Sequence, residues 1–154
     1  MNDFIRAIAS NPILKSGLIA WLASQVIKTF IHLIIHKRLV WERLVGDGGM
    51  PSSHSATVTA AAVTTGVVSG WDSPLFAIAA LLAVIVMHDA MGVRQETGKQ
   101  AKVINNMMEM FERFGHGDLT PEEQLKEFVC HTPLQVLAGF GLGLAVALVR
   151  AYLL

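Results

Sequence analysis

"ILKSGLIAWLASQVIKTFIHLII", residues 13–35, is the stretch that decides the fold class. Over 23 residues it carries mainly hydrophobic side chains and only two charges, Lys15 and Lys28. The hydrocarbon core of a bilayer needs about 20 residues of helix, with a range of about 17–25. The stretch therefore predicts a transmembrane helix.

Three further apolar stretches predict an all-α integral membrane bundle. They cover residues 55–69, 74–93 and 133–154. The last two have the length of a span, and the first reaches that length only if its helix begins near Pro51. We therefore predict about four transmembrane helices in a single membrane-embedded domain, residues 1–154.

The segment between the third and fourth stretches contains one more predicted helix. Residues 99–114 repeat apolar side chains at helical spacing, which is typical of an amphipathic helix on the membrane surface or over the bundle. Its apolar positions are Val103, Met107, Met110, Phe111 and Phe114.

The composition excludes several classes of protein. Hydrophobic residues make up 53% of the chain, charged residues 16%, and the mean hydropathy is +0.50. These values are too apolar for an ordinary soluble domain of this size. A net charge of +0 argues against a nucleic-acid partner. The single cysteine, Cys130, excludes an internal disulfide.

Positive charges predict the orientation in the membrane. Lysine and arginine concentrate in the segments after the first and third apolar stretches, and such loops favour the cytoplasmic side. We therefore expect an integral protein of the cell (inner) membrane with these two loops in the cytoplasm. The loop charges are Lys37, Arg38, Arg43, Arg94, Lys99, Lys102, Arg113 and Lys126, against Arg6, Lys15 and Arg150 on the other side.

Polar residues from four helices collect at the predicted cytoplasmic side. "GGMPSSHSA" (48–56) opens the second helix, "HDAMGVR" (88–94) closes the third, and "CHTP" (130–133) opens the fourth. Lys28 lies in the cytoplasmic half of the first helix. This end of the bundle is therefore the candidate functional site.

The residue types at this end favour an anionic ligand. Pro51 and Pro133 each suit the first position of a helix, and helix N-termini bind phosphate-like anions through their free N–H groups. Gly49 lets the backbone approach a ligand closely. Lys28 and Arg94 add positive charge, and the planar donors of arginine suit phosphate.

Two histidines stand at the predicted starts of the second and fourth helices. One of His54 and His131 could attack phosphorus while the other donates a proton to the leaving oxygen. The pair therefore indicates phosphoryl chemistry at the same end of the bundle.

Three segments resemble one enzyme family: "GGMPSSHSA", "DAMGVRQETGKQA" and "CHTPLQVLAG". Together they resemble the divergent branch of the type 2 phosphatidic acid phosphatases, which are related to acid phosphatases and vanadium haloperoxidases. "PSSH" (51–54) is similar to a Pro-Ser-Gly-His element of that superfamily, with Ser53 in place of glycine. "HTPLQVLAG" (131–139) is similar to a second histidine element, with Gln135 in place of aspartate.

The resemblance implies metal-independent removal of a phosphate through a phosphohistidine, with no cofactor. It makes His131 the nucleophile and His54 the general acid and then the base for water. The superfamily's arginine six residues before the nucleophile is Leu125 here, so Arg94 is its expected substitute. The other candidates are the catalytic residues Lys28 and Asp89 and the substrate-binding residues Ser52, Ser53, Gly49, Lys99 and Glu127.

Several of these residues also have a plainer interpretation. His54 could serve only the start of its helix, and Arg94 could be a membrane-edge anchor. Lys28 could reach the membrane edge along its own alkyl stem. Either Asp89 or Glu127 could supply the carboxylate that the replacement at Gln135 removes.

The sequence thus predicts a lipid-phosphate phosphatase, with phosphatidylglycerol phosphate, phosphatidic acid or a prenyl phosphate as substrate. The alternative is a non-catalytic membrane protein that binds phospholipid or phosphate. A transporter is less favoured because the outer halves of the helices are almost purely apolar. Membrane lipids are expected partners. Small-residue faces, Gly139 with Gly143 and Gly66 with Gly70, are typical of helix packing and compatible with a homodimer.

Overall fold

The computed structural model of the protein describes residues 2–37, 49–113 and 132–153. These residues form six α-helices and no β-strand, so the all-α prediction is confirmed for them. The helices are α1 (Asn2–Ser10), α2 (Pro12–His36), α3 (Ser53–Ser69), α4 (Pro74–Met91), α5 (Val93–Arg113) and α6 (Pro133–Leu153).

Helix α2 has defined signals at both of its ends. The Oδ1 atom of Asn11 accepts hydrogen bonds from the N–H groups of Ile13 and Leu14, at 2.9 and 3.1 Å. These bonds satisfy donors that a helix start leaves without a partner. The helix ends where Lys37 turns to a φ of +52° and donates its N–H to Leu33 O at 2.9 Å. The predicted span, 13–35, is therefore confirmed within one residue at each end.

Helix α3 is the centre of the bundle, because α2, α4 and α6 all pack against it. A short turn, residues 70–73, connects α3 to α4. The Oγ atom of Ser73 accepts the N–H of Phe76 at 3.2 Å and so starts α4. The chain therefore reverses direction tightly after α3, as the sequence predicts.

The contacts of α3 fix the directions of its neighbours. Lys28 of α2 contacts Ser53 at the start of α3, while Gly17 of α2 lies against Ala61 further along. Helices α2 and α3 are therefore antiparallel. In contrast, α6 runs parallel to α3, since successive turns of α6 lie against successive turns of α3. The start of α3, the start of α6 and the second half of α2 thus meet at one end, called here the polar end.

Two glycines allow α6 to approach α3 closely. A Cβ atom at Gly139 would overlap the carbonyl oxygen of Ser52, and one at Gly143 would overlap the carbonyl oxygen of Ala56. The predicted packing role of this pair is therefore confirmed. The same prediction for Gly66 and Gly70 is wrong. A Cβ at Gly66 would lie 2.5 Å from the Trp71 ring, and Gly70 ends α3 with a φ of +95°, so that pair serves the turn.

Within the part of the chain that the structure describes, three helical stretches are long and apolar enough to cross a membrane: Pro12–Ile35, Pro74–Met110 and Pro133–Tyr152. Helix α3 has 17 residues and is not among them. The structure thus supports a membrane protein with three candidate spans. The count of four transmembrane helices stays a prediction.

Two predicted boundaries are wrong. Only Gly92 separates α4 from α5, so residues 95–98 are also helical, ahead of the predicted start of the amphipathic helix at residue 99. Residues 94–100 contain several strong helix formers, and Glu96 pairs with Lys99 one turn later. Pro51 is also not the first residue of α3, because Ser52 caps a helix that begins at Ser53.

The amphipathic helix between the third and fourth apolar stretches is confirmed as α5. Val103, Met107 and Met110 are each more than half exposed on it. The side chain of Phe111 and all of Phe114 lie outside the described part of the chain. Placement of α5 on the membrane surface stays a prediction.

Candidate functional site

Lys28 and Ser53 form the core of the polar end. Lys28 is only 7% exposed and Ser53 only 3%. The Nζ atom of Lys28 donates a hydrogen bond to the Oγ atom of Ser53 at 3.0 Å. Ser53 is the residue at which "PSSH" departs from the Pro-Ser-Gly-His element that it resembles, and its hydroxyl receives the buried ammonium group.

Lys28 lies far from the end of its helix, so its charge is costly to place within a membrane span. It lies eight residues before His36, the last residue of α2, which is about 12 Å at 1.5 Å per residue. A lysine in the middle of a span costs about 2.5–3.5 kcal/mol on insertion scales. Because the ammonium group turns inward to Ser53, snorkelling to the membrane edge does not describe this side chain.

Ser52 organises the first turn of α3. Its Oγ atom accepts hydrogen bonds from the N–H of Ser55 at 3.4 Å and from the hydroxyl of Ser55 at 3.1 Å. Ser52 and Ser55 are both completely buried. The hydrogen bonds between Ser52 and Ser55 therefore fix the geometry of the start of this helix at the polar end.

One backbone hydrogen bond joins the starts of α3 and α6. The N–H of Ser52 donates to the carbonyl oxygen of Gln135 at 2.9 Å. Close packing at Gly139 continues this contact one turn further along α6. The "PSSH" element and the first turn after "CHTP" are thus neighbours in space, as the sequence predicts.

Gln135 has a structural role at the start of α6. Its Oε1 atom accepts the N–H of Thr132 at 3.1 Å, and its own N–H donates to the Thr132 hydroxyl at 3.4 Å. This reciprocal pair is a capping box, with Pro133 as the first helical residue. The predicted position of Pro133 is therefore confirmed.

His54 and Gly49 lie beside the Lys28–Ser53 pair. His54 belongs to the first turn of α3 and is half-buried, with its Nδ1 atom shielded from solvent. Gly49 has a φ of +84°, and a Cβ atom there would lie 3.9 Å from Lys28 Cγ. The backbone at Gly49 thus lies against the alkyl stem of Lys28.

The candidates on α4 and α5 are less closely joined to this pair. Asp89 is half-buried near the end of α4, where it lines a shallow groove with Val84, Ile85 and His88. Because α4 returns antiparallel to α3, this position lies toward the polar end. Lys99 of α5 forms an ion pair with Glu96 at 2.6 Å, and both side chains are more than 60% exposed.

Three predicted site residues lie wholly or partly outside the described part of the chain. His131 and Glu127 lie outside the described residues, and so does the side chain of Arg94, although its backbone belongs to α5. In sequence, His131 immediately precedes Thr132, the residue that caps α6. The roles assigned to all three residues stay predictions.

Sequence reasoning missed two residues that shape this end. Ser55 shares the Ser52 hydroxyl, and Thr132 caps α6 together with Gln135. The second arrangement had a readable signal, since "TPLQ" matches the Thr-x-x-Gln pattern of a capping box. Among residues 2–37, 49–113 and 132–153, no three His, Cys, Asp or Glu side chains are close enough to hold a metal ion.

The fold of the described residues defines an all-helical membrane protein with a buried Lys28–Ser53 pair at one end. Residues 9–146 match the model of the family described as "Divergent PAP2 family". The uncharacterized membrane protein YuiD of Bacillus subtilis (strain 168) is 42% identical over 147 residues, covering 90% of this chain and 93% of that protein. No solved structure matches the chain. The chain belongs to the divergent PAP2 family.

Proposed function

We propose that this protein is a membrane lipid-phosphate phosphatase that works through a phosphohistidine intermediate. One observation carries the proposal: the buried ammonium group of Lys28 lies at the first turn of α3, and this turn is hydrogen-bonded to the start of α6. His131 adjoins that start in the sequence. Membership in the divergent PAP2 family supports the same reaction class.

The electrostatics of this end suit a phosphate group. A buried cation is stabilised by an opposite charge, and a nearby helix N-terminus adds partial positive charge. Lys28 is the buried cation, and the first turn of α3 supplies the partial positive charge. Both therefore favour a negatively charged phosphate beside them. Hydroxyl groups of Ser52 and Ser53, together with Arg94, Lys99 and the backbone at Gly49, would complete the set of donors around a phosphoryl group.

The reaction follows from these roles in two balanced steps. An imidazole nitrogen of His131 attacks phosphorus, the bond from phosphorus to the ester oxygen breaks, and His54 gives its proton to the leaving lipid oxygen. His54 then takes a proton from water as the water oxygen attacks phosphorus and the bond to His131 breaks. Inorganic phosphate leaves, and both histidines return to their starting states. Asp89 or Glu127 would orient His131.

The substrate is a phosphomonoester or diphosphate of a membrane lipid, such as phosphatidylglycerol phosphate, phosphatidic acid or a prenyl phosphate. A lipid presents its phosphate near the membrane surface, and the polar end would lie on the cytoplasmic side of the cell membrane by the distribution of Lys and Arg. We propose no metal and no cofactor. A homodimer in the membrane is compatible with this function.

The decisive experiment measures phosphate release from phosphatidylglycerol phosphate, phosphatidic acid and a prenyl phosphate. The purified protein is assayed in detergent with a chelator present. We expect His131→Ala to abolish turnover and His54→Ala to lower kcat by about 10²–10⁴-fold. His88→Ala is the matched control, because His88 is an exposed histidine of α4 outside the proposed machinery. Full activity of His131→Ala would overturn the mechanism.

A second candidate function is supported by Gln135. This residue occupies the position of the superfamily's aspartate, and its side-chain oxygen already accepts the N–H of Thr132. A neutral amide used in this way supplies no negative charge to an imidazolium. The chain would then bind phospholipid or phosphate at Lys28 without hydrolysing it.

Calorimetry with inorganic phosphate and with phosphatidic acid in micelles separates the two functions. Binding without turnover on any lipid, lost in Lys28→Met, would establish the binding protein. Turnover that depends on both His131 and His54 would exclude it. Lys28→Met should reduce binding in either case, so it tests the site independently of the chemistry.

A further inference from the structure

A second feature lies at the opposite end of the bundle from Lys28. A groove of about 240 Å³ runs between α2 and α6, lined by Ile19, Ala145, Val146, Val149 and Arg150. Arg150 is 15 residues beyond Gln135 on α6, which is about 22 Å at 1.5 Å per residue. The groove is therefore separate from the proposed phosphatase site and is not needed for it.

The walls of the groove are apolar and face outward. Ile19 is 41% exposed and Val149 is 60% exposed, and both belong to candidate membrane spans. The volume is below the roughly 300–1,000 Å³ of pockets that enclose a whole small molecule. The groove therefore has room for part of one acyl chain, lying along α6 from the surrounding bilayer.

Arg150 supplies the only charge that lines this groove within the described residues. It lies in the last turn of α6, and its Nε atom is buried with no hydrogen-bond acceptor among the described residues. A guanidinium group presents a planar fork of donors that matches the oxygens of a phosphate. A shielded Nε–H on a residue that lines an apolar groove is satisfied by an oxygen acceptor from a ligand, and an anionic ligand would also balance the charge of the guanidinium group.

We propose that this groove binds one anionic phospholipid, with an acyl chain against Ile19, Val146 and Val149 and the headgroup phosphate on Arg150. Charge complementarity favours this occupant over a neutral lipid. The ligand belongs to the leaflet opposite the polar end, since the groove lies at the other end of the bundle. It is a bound structural lipid, distinct from a substrate.

Native mass spectrometry of the purified protein in detergent tests the proposal, with phosphatidylglycerol and phosphatidylcholine added separately. We expect the wild type to retain one phosphatidylglycerol, and Arg150→Gln to bind it about tenfold more weakly or worse. Arg150→Lys should bind with intermediate affinity because it keeps the charge and loses the fork. Lys15→Gln is the matched control, since it removes an exposed charge from the same end outside the groove.

A second variant fills the groove without touching the charge. Ala145 is exposed, so Ala145→Phe should fold normally and still lose the bound phosphatidylglycerol. Equal lipid retention by wild type and Arg150→Gln would overturn the proposal. So would equal weakening by Lys15→Gln, or equal retention of phosphatidylcholine. If Ala145→Phe instead changed the fraction of dimer and left the lipid bound, the groove would be an interface between two copies.

Discussion

Helices α3 and α4 have nearly the same length, 17 and 18 residues, but opposite surroundings. Nine residues of α3 are buried, and they are all serine, threonine, alanine or glycine. Helix α4 is rich in leucine, isoleucine and valine, yet only Ala83 and Ala90 of its residues are buried. The less hydrophobic helix forms the interior, and the more hydrophobic one faces outward.

This difference reflects the solvent of a membrane protein. Lipid tails are as apolar as leucine, so large aliphatic side chains gain little by turning inward. Small residues instead let helix backbones approach closely and gain dispersion contacts. Hydropathy therefore identifies the lipid-facing surface in this bundle. The central helix, α3, is too short and not hydrophobic enough to be recognised as a membrane span.

The largest predicted effect comes from closing the space between α3 and α6. In Gly143→Leu, the new side chain would collide with the Ala56 carbonyl oxygen and with Thr59, so we expect destabilisation of about 3 kcal/mol or more. Gly141→Leu is the matched control, because nothing lies within 4 Å of a Cβ atom there. Unfolding of both variants in detergent, followed by circular dichroism, compares them. Equal stability of the two would contradict the close α3–α6 contact.

A smaller effect should separate α3 from α4 directly. Ala60 on α3 is completely buried, whereas Ala77 on α4 is exposed. We expect Ala60→Leu to destabilise the protein by about 1–3 kcal/mol through overpacking, and Ala77→Leu to change stability by less than about 0.5 kcal/mol. The same unfolding measurement applies. If Ala77→Leu were the more harmful substitution, the assignment of inner and outer helix would be reversed.

The smallest effect distinguishes two adjacent threonines of α3. Thr65 donates its hydroxyl hydrogen to Ala61 O at 2.8 Å, but the buried Thr64 hydroxyl has no partner among the described residues. Thr64→Val should leave stability unchanged or raise it by about 1 kcal/mol, because valine keeps the shape and removes an unsatisfied group.

Thr65→Val is the comparison and should cost about 0.5 kcal/mol, since it removes a hydrogen bond. A marked loss of stability in Thr64→Val with no loss in Thr65→Val would show that Thr64 has an acceptor. Thermal unfolding in the same detergent resolves the sign of each change.

Local signals predicted the long helices well. The run of apolar residues predicted the bounds of α2, and Pro133 marked the start of α6 because a proline suits the first position of a helix. The cap at Asn11 is a further local signal that the structure shows. The packing role predicted for Gly66 is wrong for a related reason. Its spacing to Gly70 suggested another helix, but the ring of Trp71 fills the space. The group that packs against Gly66 is set by the turn that follows α3. The four-residue spacing of the two glycines does not predict the conformation of that turn.

The candidate site was predicted at the level of which segments meet. "PSSH" and the start of α6 do lie together, because charge and helix polarity place both at one end. The direct bond from Lys28 to Ser53 could not be foreseen, since it joins residues 25 positions apart through the rotation of α2 against α3. The hydrogen bond from Ser52 to Gln135 depends in turn on the close approach at Gly139.

The parallel arrangement of α3 and α6 has a consequence for biosynthesis. Residues 70–132 separate the two helices, and at about 5–20 residues per second the ribosome needs several seconds to make them. During that delay, α3 presents Ser52, Ala56 and Thr59 without the glycine face that later covers them. The polar end is complete only when α6 docks against α3. A nascent chain therefore gains this site only after α6 has been made, and a product truncated before α6 would carry Lys28 without the hydrogen bond from Ser52 to Gln135.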